Sequence, residues 1–451
     1  MNSHNQVSRD HFLHIKTILA IISFALILSV HEFISPTLNF ILLDCVLAIY
    51  LTSLFQSKYK YLFLIHPVFL LLSSYGFEIP YANIGIGYKY LSTYDILTNP
   101  LSYGLDSLSE YCEKRQNIFG FCKVYFGIFP IIWLPDFLYN HRTIEITLYY
   151  SMGIFNMIYV AIAVYISHFF HILNKKTLLI IALYATVSPT FFEINSTLHR
   201  YGLMFFGLFL FLLAYIGLIK QKKSTFNKIG LALVFFISIL CIGYSKPQLF
   251  LILLIFVFIE QISSNRIPLF SGIYNNLEKK LLLCLLIIGV QSLGLLTITT
   301  DYAPASTLGG NFTSIVNIPL LGFIVRVIYA ALSPFPWVNF TQLELYGFNS
   351  AFLITHILSA FLASWLILSV FLRIGLILKS LDNDKTIIIF GISIIFSLMF
   401  SAIGYNVYLA PALPFLAVIF LKKTYRVPIF YPIGFIVLME ITAHVARLIR
   451  T

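Results

Sequence analysis

Apolar segments long enough to cross a membrane recur along almost the whole of the 451-residue chain. A spanning helix needs about 20 predominantly apolar residues. Charged residues make up only 10% of the chain, against about 25% in soluble domains. The pattern predicts an all-α, polytopic integral membrane protein with about 13 transmembrane helices (roughly 12–14) in a single transmembrane domain, residues 1–451. The apolar runs are residues 15–34, 37–55, 61–76, 146–171, 177–193, 201–219, 229–244, 247–263, 281–299, 351–376, 386–405, 408–421 and 428–446.

Lysine and arginine are distributed unevenly between the connecting segments. With the N-terminus placed in the cytoplasm, about two thirds of the 29 basic residues fall in inward-facing segments, as the positive-inside rule requires. The net charge of +11 therefore indicates topology, and no nucleic-acid partner is predicted. Two large segments, residues 77–145 and 300–350, are predicted to be extracytoplasmic. Within the first, the apolar stretch 126–135 is predicted to lie along the membrane interface.

The segment 300–350 contains an apolar stretch that is too short for an ordinary span. Residues 318–332 are apolar, and Pro334 and Pro336 then stop the helix. A charge in such a stretch is costly, so Arg326 is a functional candidate. We expect a re-entrant or interfacial helix on the outer face, with Arg326 directed at an anionic lipid head group.

Three cations fall on the predicted outer side, against the general trend. They are Arg200 before the run 201–219, Lys246 in the turn Ser-Lys-Pro-Gln, and Arg326. Arginine binds phosphate oxygens through two parallel hydrogen bonds, and lysine acts as a point charge. The set predicts a diphosphate site. The alternative is that each side chain extends to a lipid phosphate as an interfacial anchor, and the two interpretations carry equal weight.

Two carboxylates on the same side, Asp95 and Glu344, are candidates for a general base. Both are flanked by tyrosine and polar residues, as on sugar-binding surfaces. Tyr94 and Trp337 are the aromatic candidates for contact with sugar. One positioned base is enough to activate a hydroxyl. For each carboxylate the alternative is an ordinary solvated loop residue.

Ionisable residues also occur inside the apolar runs. Asp44 and Glu440 are functional candidates because charges inside a membrane are costly. The alternative is a structural hydrogen bond between helices, and each carboxylate is also a candidate partner for Arg326. His168 and His171 are spaced i, i+3, but no other ligand type is near them in sequence. We therefore expect these two histidines to lie at the membrane interface, and no metal or cofactor is predicted.

The order of several short motifs resembles bacterial proteins of surface-polysaccharide clusters, the Wzy-type O-antigen or capsule repeat-unit polymerases and related integral membrane glycosyltransferases. The resemblance covers residues 145–420 and is clearest at Ser-Pro-Phe-Pro-Trp, residues 333–337. Two positions depart from the usual pattern. Arg200 is followed by tyrosine where relatives often have an acidic residue, and Lys246 stands where relatives often have arginine before proline. The other motifs are Ser188-Pro189-Thr190, Ser196-Thr197-Leu198-His199-Arg200, Ser245-Lys246-Pro247-Gln248 and Tyr408-Leu409-Ala410-Pro411-Ala412-Leu413-Pro414.

The resemblance implies a polyprenyl-diphosphate-linked oligosaccharide as substrate and a metal-independent transfer on the periplasmic face of the bacterial inner membrane. It also implies membrane lipid, a chain-length regulator and a flippase of the same pathway as partners. Three alternatives remain. The first is a transferase adding a single sugar from a polyprenyl-phosphate donor, which usually has an acidic pair in its first outward loop, where this chain has only Glu32. The second is a flippase of lipid-linked oligosaccharide, and the third is a structural role in a biosynthetic complex.

Overall fold

The computed structural model describes eleven stretches of the chain, and the fold is given for these residues. They are residues 3–76, 129–139, 144–195, 201–221, 224–245, 249–263, 327–328, 331–332, 350–379, 383–395 and 409–448. They divide into two compact units. The first unit is Met1–Pro247 with Leu343–Thr355, and the second is Gln248–Gln342 with His356–Thr451. The single transmembrane domain stays a prediction.

All regular structure in these stretches is helical, as the sequence predicts. Six helices are long and apolar enough to cross a membrane, and the total of about 13 spans stays a prediction. The α-helices of the first unit are α1 Ser3–Ser29, α2 Pro36–Leu54, α3 Ile65–Gly76, α4 Phe129–Tyr139, α5 Ile144–Phe169, α6 Lys175–Val187, α7 Pro189–Asn195, α8 Tyr201–Tyr215 and α9 Thr225–Ser245. Those of the second are α10 Leu249–Ser263, α11 Ser350–Lys379 (which begins among residues of the first unit), α12 Asn383–Ile395, α13 Leu413–Leu416 and α14 Phe430–Leu448.

Several of the predicted apolar runs are not single α-helices, and three of them are described here. The run 61–76 begins in a 3₁₀ helix, Lys58–Leu64, before α3. The run 177–193 is divided at Ser188 into α6 and α7. The run 408–421 contains only the four-residue α13 and a 3₁₀ helix, Ala417–Leu421. Proline explains the last two, because its missing N–H and its ring interrupt the helical hydrogen bonds.

Serine and asparagine caps set where several helices begin. Ser35 precedes Pro36, the first residue of α2, and its Oγ accepts a hydrogen bond from the Leu38 N–H at 3.4 Å. Asn174 caps α6, where its Oδ1 accepts from the Thr177 N–H at 2.8 Å. Such side chains satisfy backbone donors that have no partner in the first turn. The Ser-Pro pair also places proline where a missing N–H costs nothing.

Helices α8 and α9 form a tightly packed antiparallel hairpin in the first unit. Gly207 lies against Cys241 and Ile242, and Gly217, in the π-helical turn Ile216–Lys220 that follows α8, lies against Leu231. A Cβ added to Gly207 would come within 2.9 Å of a side-chain carbon of Ile242. Glycine therefore permits the close approach of the two helix backbones.

In the second unit, an extended segment before α14 is held against α11. Val427 has both of its backbone groups bonded. Trp365 Nε1 donates to the Val427 carbonyl at 2.9 Å, and the Val427 N–H donates to Ser369 Oγ at 3.2 Å. Trp365 and Ser369 are one helical turn apart on α11, so one helix face satisfies a stretch of non-helical backbone.

Candidate functional site

The structure does not describe the side chains on which the predicted diphosphate and sugar sites depend. Arg200, Lys246, Arg326, Asp95, Glu344, Tyr94 and Trp337 all lie outside the described residues. The interfacial stretch 126–135 is described in part, as the start of α4, Phe129–Tyr139. The described residues do, however, constrain the surroundings of two of the cations.

The α8–α9 hairpin brings together the helix ends beside which Arg200 and Lys246 stand in sequence. Arg200 immediately precedes Tyr201, the first residue of α8, and Lys246 immediately follows Ser245, the last residue of α9. Gly207 packs beside Ile242, so the antiparallel pair has these two ends on the same side. Two basic residues that are far apart in sequence are therefore each next in sequence to a helix end on this side of the hairpin.

The described part of the chain also contains a fully buried carboxylate–imidazole pair. Asp44 Oδ2 and His66 Nδ1 lie 2.7 Å apart, and both side chains are 0% exposed. Asp44 stands eight residues after Pro36 in the 19-residue α2, near the middle of a candidate span. His66 is the second residue of α3. Asp44 falls on the buried face of α2, together with Phe40, Leu43, Leu47 and Leu51.

Each member of the pair keeps one polar atom without a partner among the described residues, Oδ1 on Asp44 and Nε2 on His66. The surroundings are otherwise apolar. The His66 ring lies 5.7 Å from the Phe192 ring, which stacks on Phe69 at 3.8 Å. A Cβ added to Gly153 on α5 would lie 3.2 Å from His66 Cε1. Glycine at that position therefore leaves room for the imidazole between α5 and α7.

A buried amide extends the polar group along α5. Asn156 lies one turn after Gly153, and its Nδ2 donates to the Ala185 carbonyl at 2.8 Å. That carbonyl would normally accept from residue 189, but Pro189 has no N–H. Asn156 thus supplies the donor that the break between α6 and α7 removes. Its Oδ1 has no partner among the described residues and faces Gly202, two residues after Arg200 in sequence.

Sequence reasoning identified Asp44 but missed its partner. The available signal was His66 itself, an ionisable residue within the neighbouring apolar run 61–76. A carboxylate inside a membrane requires a hydrogen-bond donor from a neighbouring helix, and an imidazole can be that donor. The pair is a hydrogen bond between two helices, which one interpretation of Asp44 expected, and a functional role for Asp44 stays a prediction. The other intramembrane candidate, Glu440, lies exposed on α14. Across the described ranges, no three metal-ligating side chains lie together.

Comparison of the chain with protein families, with curated proteins and with solved structures finds no match. A functional proposal for this protein therefore depends on its own residues.

Proposed function

We propose that this protein transfers glycosyl groups between polyprenyl-diphosphate-linked oligosaccharides at the outer face of the inner membrane and so polymerises O-antigen or capsule repeat units. The observation that carries the proposal is the pairing of helix ends in the α8–α9 hairpin, beside which Arg200 and Lys246 stand in sequence. Both cations run against the positive-inside distribution. Two cations beside one hairpin end suit an anion with several oxygens, and a lipid diphosphate is such an anion in a membrane.

The proposed chemistry uses charge stabilisation and one base. The acceptor hydroxyl oxygen bonds to the anomeric carbon of the donor while the bond from that carbon to the diphosphate oxygen breaks. The electron pair stays on the diphosphate, where Arg200, Lys246 and Arg326 stabilise the developing charge. Asp95 or Glu344 takes the hydroxyl proton. Tyr94 and Trp337 provide flat surfaces for the sugar rings. No metal is required.

A flippase of lipid-linked oligosaccharide is the second candidate, and the buried pair favours it. Ionisable groups near the middle of spans often belong to ion or proton pathways in transporters. Asp44 and His66 are such groups. A transferase that adds a single sugar remains as a further outcome of the same experiment.

Deletion of the gene, followed by gel analysis of the surface polysaccharide, distinguishes these functions. Single repeat units on the surface indicate loss of a polymerase, which is the expected result. Complete loss of surface polysaccharide indicates a flippase. A full ladder with altered serology indicates a side-chain transferase. An unchanged ladder with unchanged serology contradicts all three activities.

Substitution of the two cations tests the diphosphate site directly. We expect Arg200→Ala and Lys246→Ala to lower the polymerisation rate roughly 10- to 100-fold, the equivalent of a lost charge-assisted hydrogen bond. Lys246→Arg should retain more activity than Lys246→Ala, because the charge is kept. Lys228→Ala is the matched control, since Lys228 lies exposed in the first turn of α9, at the opposite end of the same hairpin.

Protein amount is measured alongside the rate in each variant. If both alanine variants make surface polysaccharide of normal chain length, then Arg200 and Lys246 act only as lipid anchors. The proposal would then lose its main support. An equal loss in Lys228→Ala would show that the effect comes from net charge and not from a site.

A further inference from the structure

Arg373 places a positive charge inside an apolar helix of the second unit. It lies on α11 within the candidate span Ile357–Ile377, close to the end of that span. The residue is half-buried, and its Nε is buried without a hydrogen-bond partner among the described residues. Within the same residues Arg373 forms no ion pair. Arginine keeps its charge in proteins and offers only donors, so a guanidinium in this position requires an anion from outside the described chain.

The position of Arg373 along α11 brings it within reach of lipid head groups. Between Arg373 and Ile377, the last residue of the candidate span, the helix rises about 6 Å. The long side chain of arginine can extend to the polar surface of a membrane from such a position. The guanidinium and a head-group phosphate can therefore meet at this end of the span.

The two hydrogen bonds of Val427 show which residues lie towards the same end of α11. The Val427 N–H bonds to Ser369, whereas its carbonyl bonds to Trp365, one turn earlier on the helix. The extended segment therefore runs antiparallel to α11, and the residues that precede Val427 lie on the Ser369 side. Arg373 is one turn beyond Ser369, so Arg426 lies towards the Arg373 end of the helix.

The charges at this end of α11 do not balance. Lys423 is exposed and Arg426 is half-buried, and neither forms an ion pair within the described part of the chain. Asp384 lies in the first turn of α12, the helix that follows α11, and Lys385 comes directly after it, so these two add no net charge. Asp382 is outside the described residues. The described residues therefore supply positive charge at this end without an equal number of carboxylates.

The surface of α11 beside Arg373 is apolar and open. Phe371, Leu372 and Leu376 are exposed, and nothing lies within 4 Å of a Cβ added to Gly375. Exposed apolar side chains in a membrane span are the natural contacts of acyl chains. An anion that has an acyl chain therefore suits this surface better than a free ion does.

We propose that Arg373 and Arg426 bind the phosphate of one anionic phospholipid, whose acyl chain lies along the exposed apolar side chains that flank Arg373 on α11. A guanidinium can hold two phosphate oxygens through parallel hydrogen bonds, and Lys423 adds a point charge. Basic pockets beside membrane helices suit anionic head groups for this reason. The site is independent of the proposed transferase activity, because it uses none of the residues assigned to the diphosphate or the sugar.

Native mass spectrometry of the full-length protein in detergent tests the site through the Kd of the first bound lipid. Phosphatidylglycerol is compared with phosphatidylcholine of the same acyl chains, because the two lipids differ in the net charge of the head group. We expect phosphatidylglycerol to bind about tenfold more tightly or better, as for one charge-assisted contact. An equal Kd for the two lipids would overturn the proposal, since Arg373 would then be a general membrane anchor.

Competition with inorganic phosphate distinguishes a lipid from a free anion. We expect millimolar inorganic phosphate to leave phosphatidylglycerol bound, because the acyl chain contributes to binding through the apolar surface of α11. Displacement of the lipid by phosphate at this concentration would assign the cations to a free anion and contradict the lipid site.

Substitution of Arg373 assigns the binding to this residue. We expect Arg373→Gln to raise the Kd for phosphatidylglycerol roughly 10- to 100-fold. Arg373→Lys should lie between this variant and wild type, because it keeps the charge and loses the paired hydrogen bonds. Lys228→Gln is the control, since it removes the same charge at an exposed position of the first unit. An unchanged Kd in Arg373→Gln, or an equal rise in Lys228→Gln, contradicts the site.

Thermal unfolding in the absence of added lipid separates binding from folding. Arg373→Gln should unfold at the wild-type temperature or above it, because Arg373 loses no hydrogen bond or ion pair to the described residues. If this variant does not accumulate, Arg426→Gln provides the same test, and an unchanged Kd there contradicts the site. The comparison of the two lipids on the wild-type protein requires no substitution and remains decisive in either case.

Discussion

The core of the first unit and helix α14 of the second unit contain the same types of residue in different surroundings. The candidate span Gly202–Lys220 of the first unit is 78% buried in the protein, whereas the candidate span Lys423–Thr442, which contains most of α14, is 17% buried. The first unit contains Asp44, Gly207 and Pro189. Helix α14 contains Glu440, Gly434 and Pro432. Asp44 and Gly207 have defined neighbours, whereas Glu440 and Gly434 lie exposed.

This difference shows that residue type and hydropathy alone do not give the importance of a position in a membrane helix. A carboxylate, a glycine or a proline in an apolar run affects stability through the neighbours that it has in the folded protein. The matched residues of the two regions allow this to be measured one type at a time.

The carboxylates should give the largest difference. Asp44→Ala removes one partner of a fully buried pair, for which the expected loss is roughly 3–5 kcal/mol in the free energy of unfolding. Glu440→Ala should change the free energy by less than about 0.5 kcal/mol, as for substitutions without a defined neighbour. Unfolding in a denaturing-detergent titration, followed by circular dichroism, measures both. Equal effects at the two positions would mean that Asp44 is no more integral to the folded protein than Glu440.

Some features of these two regions can be predicted from the sequence and others cannot. An all-helical fold with apolar spans follows from composition, because only a helix satisfies every backbone group within one apolar segment. The prediction that Asp44 is important follows from its charge. The pairing of Asp44 with His66 cannot be predicted from the sequence, because the pairing depends on how α2 and α3 are aligned. Helix α3 begins only after a 3₁₀ helix that the sequence pattern does not reveal.

The α8–α9 hairpin is a second case in which the sequence identifies the candidate residues but not which helix ends lie together. Arg200 and Lys246 are identified by their charge, but the pairing of the helix ends next to them in sequence depends on the register of α8 against α9. That register is set by Gly207 and Gly217, which lie against Ile242 and Leu231 respectively. Hydrophobic periodicity cannot supply it, because α8 is apolar on all sides.

The glycines should give an intermediate difference. A Cβ at position 207 would lie 3.0 Å from Cys241 Cβ and 3.1 Å from the Ile242 backbone nitrogen. Relief requires the helices to separate, so Gly207→Ala should cost about 1–3 kcal/mol through overpacking. At Gly434 nothing lies within 4 Å of an added Cβ. Gly434→Ala should therefore stabilise the protein by up to about 1 kcal/mol through helix propensity. The same detergent titration applies, and a stabilised Gly207→Ala variant would contradict the packing of the hairpin.

The prolines should give the smallest difference in the free energy of unfolding, and a double-mutant cycle measures this difference. Pro189 deprives the Ala185 carbonyl of a helical donor, and Asn156 replaces that donor at 2.8 Å. Asn156→Leu should therefore destabilise the wild-type protein. Without the proline, Ser188 is free to become helical, and the N–H of residue 189 can then bond the carbonyl. Asn156→Leu should therefore cost about 1 kcal/mol less in the Pro189→Ala background, the net value of one hydrogen bond.

Pro432→Ala is the control background for this cycle. Pro432 lies in the first turn of α14, where the backbone N–H groups have no helical acceptor, so no carbonyl depends on a substitute donor. The cost of Asn156→Leu should be the same in Pro432→Ala as in wild type. If the cost is also unchanged in Pro189→Ala, then Asn156 stabilises the first unit through its other neighbours, Gly202 and Tyr159, and the break between α6 and α7 does not depend on its side chain.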